Sequence, residues 1–475
     1  MVYRQSERRQ QMMFPPSIEE YIAPDDPVRV YDAFGDSVDL EALGIGSDPH
    51  QAGCPAYPPR IMLKILVYGY SYGIRSSRKL ERALYHNLSF LWLAGGLKPD
   101  FKTISRFRKD HRQALREVLQ HCARLCVKLG VVAGNTLFVD GTKLRANANG
   151  SHTLTAAQCE QQIEQIDQRI DEMLTECDRL DDQEAPDDSL VHLREELTDQ
   201  RGRKARIQEA LTQLKAQDLE RVNLTDPDCT RVHGRQGSHA GYNGQIVVDD
   251  QQGLIVHADV VNDNHDYGQF VAQITTAQEI TGKAPQVAGA DSGYYSGEKL
   301  QQMTAVAEQI LVPARDQVHP SPAQPFAKEQ FTYLAEQDVY VCPAGQRLTC
   351  RRRCPKRGWW EYRLEGHVCR VCTHFGRCTR SGQGRRVTRF FNEDLRQRLR
   401  EQFERPDAKV IYARRKETVE LPFGHIKRNL GVNSFLLRGL AGVRAEMSLL
   451  ASCFNLVRLI GIFGVRGLIE RLRAL

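Results

Sequence analysis

LFVDGTKLRANANG, residues 137–150, runs from apolar residues into a carboxylate, Asp140, and passes at once to Gly141, Lys143 and Arg145. An apolar run bounded by turn formers reads as a short buried strand. Asp140 closes it, and a carboxylate there is either a turn cap or a working group, because an unpaired buried charge is expensive. Its sequence neighbours do not decide between the two, so the partners must come from other segments.

Strand signals return at GQIVVDD (244–250) and GLIVHADVV (253–261), joined by a Gln-Gln-Gly turn as in a hairpin. A helix over HDYGQFVAQITTAQEITG follows and stops at Gly282. Then come QVAGADSGYYS (286–296) and EQILVPAR (308–315), two short strands of parallel-core character. One strand, a hairpin pair, a helix and two further strands is the order of an RNase H-like α/β sheet. Between the first strand and the hairpin, Ile163, Ile166, Ile170, Met173, Cys177 and Leu180 are spaced by threes and fours. After DDQEAPDDS a second helical stretch carries Leu190, Leu193, Leu197, Ile207, Leu211 and Leu214. These spacings predict an antiparallel helical hairpin, a structural spacer.

Residues 58–130 read as short helices: PPRIMLKILVYGYSY, then SSRKLERALYHN with serines suited to an N-cap, then one segment from Lys98 to Gly130. The last places Lys102, Arg106, Arg108, Lys109 and Arg112 within one or two turns. Such a trihelical unit resembles a helix-turn-helix; the plainer alternative is a bundle with a solvated basic face. Near the C-terminus, LRGLAGVRAEMSLLASCFNLVRLIG predicts a long helix with its apolar face on the sheet and Arg444 and Arg458 outward. The expected division is 1–130, helical and DNA-binding; 131–155 with 220–318, the first parts of the α/β core; 156–219, the helical hairpin; 319–386, a basic cysteine-rich insertion; and 387–475, the C-terminal helical part of the core.

The chain has 475 residues with a formal charge of +6 and pI ≈ 8.6. The excess is local: residues 343–386 hold 12 Lys and Arg against 2 acids, and 385–438 hold 14 against 7. Blocks of this kind point to a polyanion, most simply nucleic acid. The first residues lack an apolar core of signal-peptide length, and the longest apolar run, 447–457, is too short for a span of about 20 residues. A cytoplasmic protein without a membrane role is expected. The 13 cysteines argue for metal or thiols rather than a disulfide framework.

Asp291, in AGADSG, repeats the situation of Asp140: an acid closing a short apolar strand, with Gly293 just after it. In an RNase H-like sheet the first and fourth strands lie side by side, so the two carboxylates would converge. Carboxylates about 4–6 Å apart repel each other unless a divalent cation lies between them. A third acid is expected from YARRKETVELPFGHIKRNLG (412–431). Glu420 has Lys416 four residues before it and Lys427 seven after, on one helical face; Glu417 competes for the role. Pro422 should kink or restart this helix.

FVDGTKLRANA, HAGYNGQIVVD, ADSGYYS and RRKETVELPFGHIKRNLG resemble the successive signatures of bacterial insertion-sequence transposases with a DDE catalytic core, and YPPRIMLKILVYGYSYGIRSSRKLERAL resembles the helical domain that precedes it. The resemblance runs from about residue 15 to about residue 460. It implies a triad of Asp140, Asp291 and Glu420 holding two Mg²⁺ (Mn²⁺ may substitute), cleavage at element ends, and joining of the freed 3′-OH to target DNA. A homodimer bringing two ends together is implied as well. Such transposases often carry Tyr-x2-Arg-x3-Glu-x6-Lys. Here Tyr412, Arg415, Glu420 and Lys427 follow it except that Arg415 lies one residue too far from Glu420, and Lys416 has the expected spacing instead. Lys416, Lys427, Arg415, Tyr412, Lys143, Arg106, Arg108 and Lys109 are the expected DNA contacts. His239, Tyr242 and Asn243 either line the cleft or cap a turn; Asp263 and His265 are placed similarly.

Cys342, Cys350, Cys354, Cys369, Cys372 and Cys378 cluster between the last strand and the Glu420 helix. Cys342, Cys369, Cys372 and Cys378 form Cys-x26-Cys-x2-Cys-x5-Cys, a candidate for structural Zn²⁺, with His367 and His374 as substitutes and plain thiols as the alternative. Arg351, Arg352, Arg353, Lys356, Arg357, Trp359 and Trp360 share the block, which could grip DNA or be a solvated surface lobe. Two other readings stand beside an active transposase: a non-catalytic DNA-binding zinc protein derived from one, and a metal-dependent nuclease without strand joining.

Overall fold

The computed structural model describes residues 17–46, 56–182, 187–234, 237–318, 326–355 and 358–474. The chain opens with α1 (Val28–Ser37), α2 (Pro59–Ser71), α3 (Ser77–His86), α4 (Leu88–Leu93), α5 (Phe101–Asp110) and α6 (Arg112–Lys128). Next come β1 (Thr136–Arg145), β2 (Thr153–Leu154), α7 (Ala156–Asp182), α8 (Asp187–Gln217), β3 (Val222–Asn223), β4 (Thr230–Gly234), β5 (Gly237–Asp249) and β6 (Ile255–Val261). The middle holds α9 (Phe270–Thr281), β7 (Val287–Gly289), α10 (Leu300–Ala305), β8 (Gln309–Leu311) and α11 (Arg315–Val318). Then follow β9 (Thr332–Leu334), β10 (Val339–Val341), β11 (Arg347–Cys354), β12 (Trp359–Arg363), α12 (Gly366–Arg370) and β13 (Arg386–Phe390). Helices α13 (Glu393–Glu404), α14 (Pro406–Gly424) and α15 (Leu440–Ala474) close the chain. Two compact units result: residues 1–133, 141–264 and 420–475 form one, residues 134–140 and 265–419 the other.

In the first unit the segment expected as one helix from Lys98 is two. Asp100 caps α5 by accepting the Thr103 N–H at 2.6 Å, and at His111 the backbone leaves helical values (φ −107°, ψ 33°) before α6 begins. The turn lets Ile104 and Phe107 of α5 and Leu115, Leu119 and Cys122 of α6 all be buried.

Helix α15 is the spine of this unit. Residues Gly442–Leu456 are all buried except Arg444, and its polar members bind backbone groups of neighbouring elements. Ser448 Oγ accepts the Leu119 N–H at 3.1 Å and donates to the Arg116 carbonyl at 2.7 Å on α6. Asn455 pairs with Ile255 of β6 twice, accepting its N–H at 2.9 Å and donating to its carbonyl at 2.8 Å. The expectation that Arg444 and Arg458 point outward is corrected: Arg444 donates to the Val260 carbonyl at 2.9 Å and pairs with Asp259 at 2.8 Å, and Arg458 donates to the Gln252 carbonyl. A buried helix must satisfy strand backbone as well as fill space, so its arginines tie it to the β5–β6 hairpin. By length and composition α15 could cross a membrane, but most of its apolar stretch is buried against the rest of the protein.

Helices α7 and α8 pair antiparallel: Lys204 bonds Asp167, and Lys215 lies 2.9 Å from Glu160. Cys159, Ile166, Ile207 and Leu214 pack with Leu154 and Val222 where the pair leaves the unit. Of the expected seam, Ile166 and Met173 are buried, and Ile163 and Ile170 are half-buried against the cluster. The side chains of Leu180, Leu190 and Leu193 lie outside the described residues.

Strands β4, β5 and β1 are neighbours in that order, with β6 on β5; the β5–β6 hairpin is antiparallel with a bulge at Val247/Val248. In the second unit β1 pairs parallel with β7, and β7 parallel with β8. Helix α9 ends at Gly282 in the left-handed conformation (φ 74°), which a glycine adopts without steric cost. Helices α13 and α14 cover the strands, Phe403 and Ala408 packing on Val287 and Leu311 with Tyr412 at the margin. The cysteine-rich segment, expected only as an insertion, is a five-stranded antiparallel sheet ordered β13-β12-β11-β10-β9. β13 carries it past residue 386, to Phe390. Tyr340, Leu348, Tyr362 and Val387 form its core. Tyr333 and Tyr362 both donate to the Asp338 carboxylate, the first at 2.8 Å.

Candidate active site and nucleic-acid interface

Asp140 does not end its strand. β1 continues to Arg145, which corrects the expectation; what ends nearby is the parallel neighbour. Phe138 is paired with Gly289, after which β7 stops. Residues Leu137–Val139 are buried, whereas Asp140 is 21% exposed in its side chain. The carboxylate therefore emerges where the sheet opens beside β1, and strand alternation puts it on the same side as Phe138 and Thr142.

The second acid lies two residues past the end of β7, as Asp140 lies two residues past the last matched residue of β1. The β1–β7 pairing matches Thr136 with Val287 and Phe138 with Gly289, an offset of 151 residues. Asp291 lies the same 151 residues after Asp140. Its backbone is still extended (φ −75°, ψ 175°), and its carboxylate caps the turn Ser292–Tyr294 by accepting the Gly293 N–H at 2.8 Å.

Helix α14 supplies the rest of this cluster. The Arg415 guanidinium stands 3.8 Å from the Asp140 carboxylate and 5.5 Å from the centre of the Tyr412 ring, and Tyr412 packs edge-on to Phe403 at 4.8 Å. Burial pushes the Tyr412 hydroxyl above its ordinary pKa; Arg415 works against that, and the Asp291 and Asp140 carboxylates add to it. Arg415 is the cation beside Asp140, and Lys416, one residue on, is exposed.

Glu420 lies on the same helix, exposed, five residues beyond Arg415 and so about 7.5 Å further along its axis. Pro422 does not restart the helix there. α14 runs through it, and the irregularity comes later, in the π-type turn His425–Asn429, closed by the Leu430 N–H on the His425 carbonyl at 3.0 Å. A wide turn of this kind is frequent at functional sites. It also takes Lys427 out of the α-helical phase assumed for it. Lys427 Nζ instead donates to Thr142 Oγ1, two residues along β1 from Asp140.

Sequence reasoning missed Asp266. A Cβ on Gly293 would meet Asp291 Oδ1 at 3.0 Å and Asp266 Oδ2 at 3.8 Å, so the two carboxylates flank this glycine. The signal lay in NDNHDY, where Asp263 and His265 were preferred. Tyr242 is a core residue, its hydroxyl donating to Asp226 at 2.7 Å, and Asn243 is buried too. His239 is half-buried on β5, and burial holds its imidazole below the usual pKa.

A second polar region lies between α3 and α5, a cavity of about 760 Å³ bordered by Ser76, Ser77, Arg78, Lys102, Arg106 and Lys109. Arg78, which sequence reasoning passed over, lies 5.1 Å above the Phe101 ring. Arg108 does not face this groove and is removed from the DNA contacts. It is 5% exposed, and its guanidinium donates to the Tyr70 hydroxyl at 3.2 Å, to the Arg75 carbonyl at 2.7 Å and to Ser77 Oγ. One helical position separates it from Lys109, and 100° of rotation turns one cation inward and the other out. Arg108→Ala should lower stability by about 3 kcal/mol, since it orphans buried partners. Arg106→Ala and Lys109→Ala should leave unfolding midpoints unchanged and each reduce the salt dependence of DNA binding by about one ion. Denaturant unfolding and salt-titrated binding measure the two effects.

Lys143, on β1, is half-buried. On the five-stranded sheet, Arg352 lies 6.0 Å from the Trp359 ring and Arg353 5.4 Å from Trp360; Lys356 and Arg357 fall outside the described residues.

The family Transposase domain (DUF772) matches residues 16–110, which hold α1 to α5, and the Transposase DDE domain matches residues 341–460, from the end of β10 into α15. No curated protein matches the chain significantly. The two matches, one over helices α1 to α5 and one that takes in Tyr412, Arg415 and Glu420, support an insertion-sequence DDE transposase.

Proposed function

We propose that this transposase cuts DNA at the ends of an insertion sequence and joins the freed 3′-OH to target DNA, with Asp140, Asp291 and Glu420 as the reacting centre of an RNase H-like core. The observation that carries the reading is the placement of Asp140 and Asp291, each two residues beyond the last matched pair of the parallel strands β1 and β7, with Tyr412 and Arg415 of the Glu420 helix beside them. The strand order, a hairpin next to β1 on one side and parallel β7 and β8 on the other, supports the RNase H-like assignment.

The donors are hard carboxylate oxygens, the set that suits Mg²⁺ or Mn²⁺. Positive charge is already drawn to this place: Arg415 Nη1, buried and without a hydrogen bond, faces Asp140 at 3.8 Å. Two ions held by the three acids would lower the pKa of a bound water and stabilise charge on the phosphodiester oxygens. The chain's own groups do the rest. Arg415 braces the Asp140 carboxylate, with the Tyr412 ring beside the guanidinium. Lys427, lodged on Thr142, and the exposed Lys416 offer ammonium groups to the strand being cut, and Lys143 extends that line along β1. Arg106, Lys109, Arg78 and Lys102 grip phosphates through the α3–α5 groove. Handling two ends together calls for two copies, a homodimer acting on DNA in the cytoplasm.

The test is a reaction of the full chain with DNA carrying the element's own ends, a target plasmid and Mg²⁺, followed on gels for nicked and joined products. Joined product is expected. Nicking without joining would leave a nuclease, and bound but uncut ends would defeat the proposal.

A further inference from the structure

The cysteines of the five-stranded sheet take no part in the reaction proposed above. We propose that Cys342, Cys369, Cys372 and Cys378 bind one Zn²⁺ as four thiolates, and that this ion fastens the 364–385 loop to the β10–β11 turn. The inference is independent of the reaction.

Three observations carry it. First, these four residues border a single cavity of about 30 Å³, room for one small ion or water. Cys350 and Cys354, on β11, do not line it. Second, the backbone around the thiols forms turns that point N–H groups at sulfur: Cys369 Sγ accepts the Arg385 N–H at 3.3 Å and Cys372 Sγ the His374 N–H at 3.5 Å. Hydrogen bonds of this kind orient and stabilise thiolate ligands. Cys342 opens a tight turn, the Gly345 N–H donating to its carbonyl at 2.8 Å and its own N–H to the Gln346 carbonyl at 2.9 Å.

Third, the loop has little else to hold it. From Leu364 to Arg385 the only buried residues are Cys369 and Gly384, and α12 is its single short helix. Gly384, at φ 88°, passes so near the Leu364 carbonyl that an added Cβ would lie 2.0 Å from its oxygen. A loop closed this tightly without an apolar core needs a cross-link.

Among the described residues no three His, Cys, Asp or Glu side chains already converge closely enough to ligate an ion, so ion binding must draw the sulfurs together over the cavity they share. His374 lines the same cavity with its ring against Phe326, 4.9 Å between centres, and is left as packing.

The experiment is metal analysis of the purified full chain, combined with mercurial titration of its thiols and a dye that reports released zinc. About one zinc per chain is expected, set free as the thiols are titrated. Cys369→Ser and Cys372→Ser should lose it, while Cys350→Ser and Cys354→Ser should keep it. Should Cys369→Ser fail to fold, Co²⁺ substitution of the wild type decides: intense sulfur-to-cobalt absorption with four-thiolate character is expected. Absence of zinc from a folded wild-type chain, zinc retained by Cys369→Ser, or a cobalt spectrum without thiolate character would each overturn the assignment.

Discussion

Asp140→Asn, Asp291→Asn and Glu420→Gln are each expected to lose strand cleavage and joining by about a thousandfold or more, with binding of the element ends retained. An amide keeps the shape of the side chain and removes its charge. What disappears is the capacity to hold a divalent cation, whose stabilisation of the transition state is worth several kcal/mol, and about 4 kcal/mol is a thousandfold in rate. Asp291 also caps a turn through the Gly293 N–H, and the asparagine oxygen can accept that bond, so the fold should survive. Rates of nicking and joining, measured next to end binding by gel shift, check the prediction. Glu417→Gln is the control: it stands one turn before Glu420 on α14 and should keep activity. If Glu417→Gln abolished the reaction and Glu420→Gln did not, the assignment of the third acid would pass to Glu417.

Glu446→Ala is expected to cost about 3–5 kcal/mol of stability, the largest effect of any single substitution away from the acids. Glu446 is fully buried on α15. It pairs with Arg75 at 2.7 Å, and its second oxygen accepts the Leu436 and Leu437 N–H groups at 2.8 and 2.9 Å. Removing it leaves the Arg75 guanidinium, 11% exposed, with the Ser434 carbonyl, and takes away the carboxylate acceptor of the Leu436 and Leu437 N–H groups. A fall of several degrees in melting temperature should follow, read by calorimetry or denaturant titration. The paired change Arg75→Met with Glu446→Leu should recover much of the loss, since the penalty comes from the orphaned partner more than from the absent bond. A loss below 1 kcal/mol in Glu446→Ala would refute this account.

Much of the candidate site was legible beforehand because strand acids followed by glycine are conspicuous in a chain. Asp140 and Asp291 could be picked out from their apolar runs, and the motif order pointed to Glu420. The roles of neighbouring cations were not legible. Arg108 and Lys109 are adjacent in sequence and alike in charge, yet one is buried under three hydrogen bonds and the other borders a groove. Lys427 was assigned by counting α-helical turns, and the π-type turn at His425–Asn429 broke the count. Asp266 was invisible because its neighbour Asp291 is reached only through folding.

The amino-acid sequence by itself determined the alternation of strands and helices, the two acids that follow apolar runs, the inserted helical pair and the cysteine cluster, because each depends on local periodicity and residue chemistry. Only the tertiary structure decided that β1 pairs parallel with β7 just before Asp140 and Asp291, that α15 is a buried spine and not a surface helix, and that four particular cysteines share one cavity. Those facts depend on which backbone groups meet across long separations, and hydrogen bonding between distant segments leaves no period in the chain that makes it.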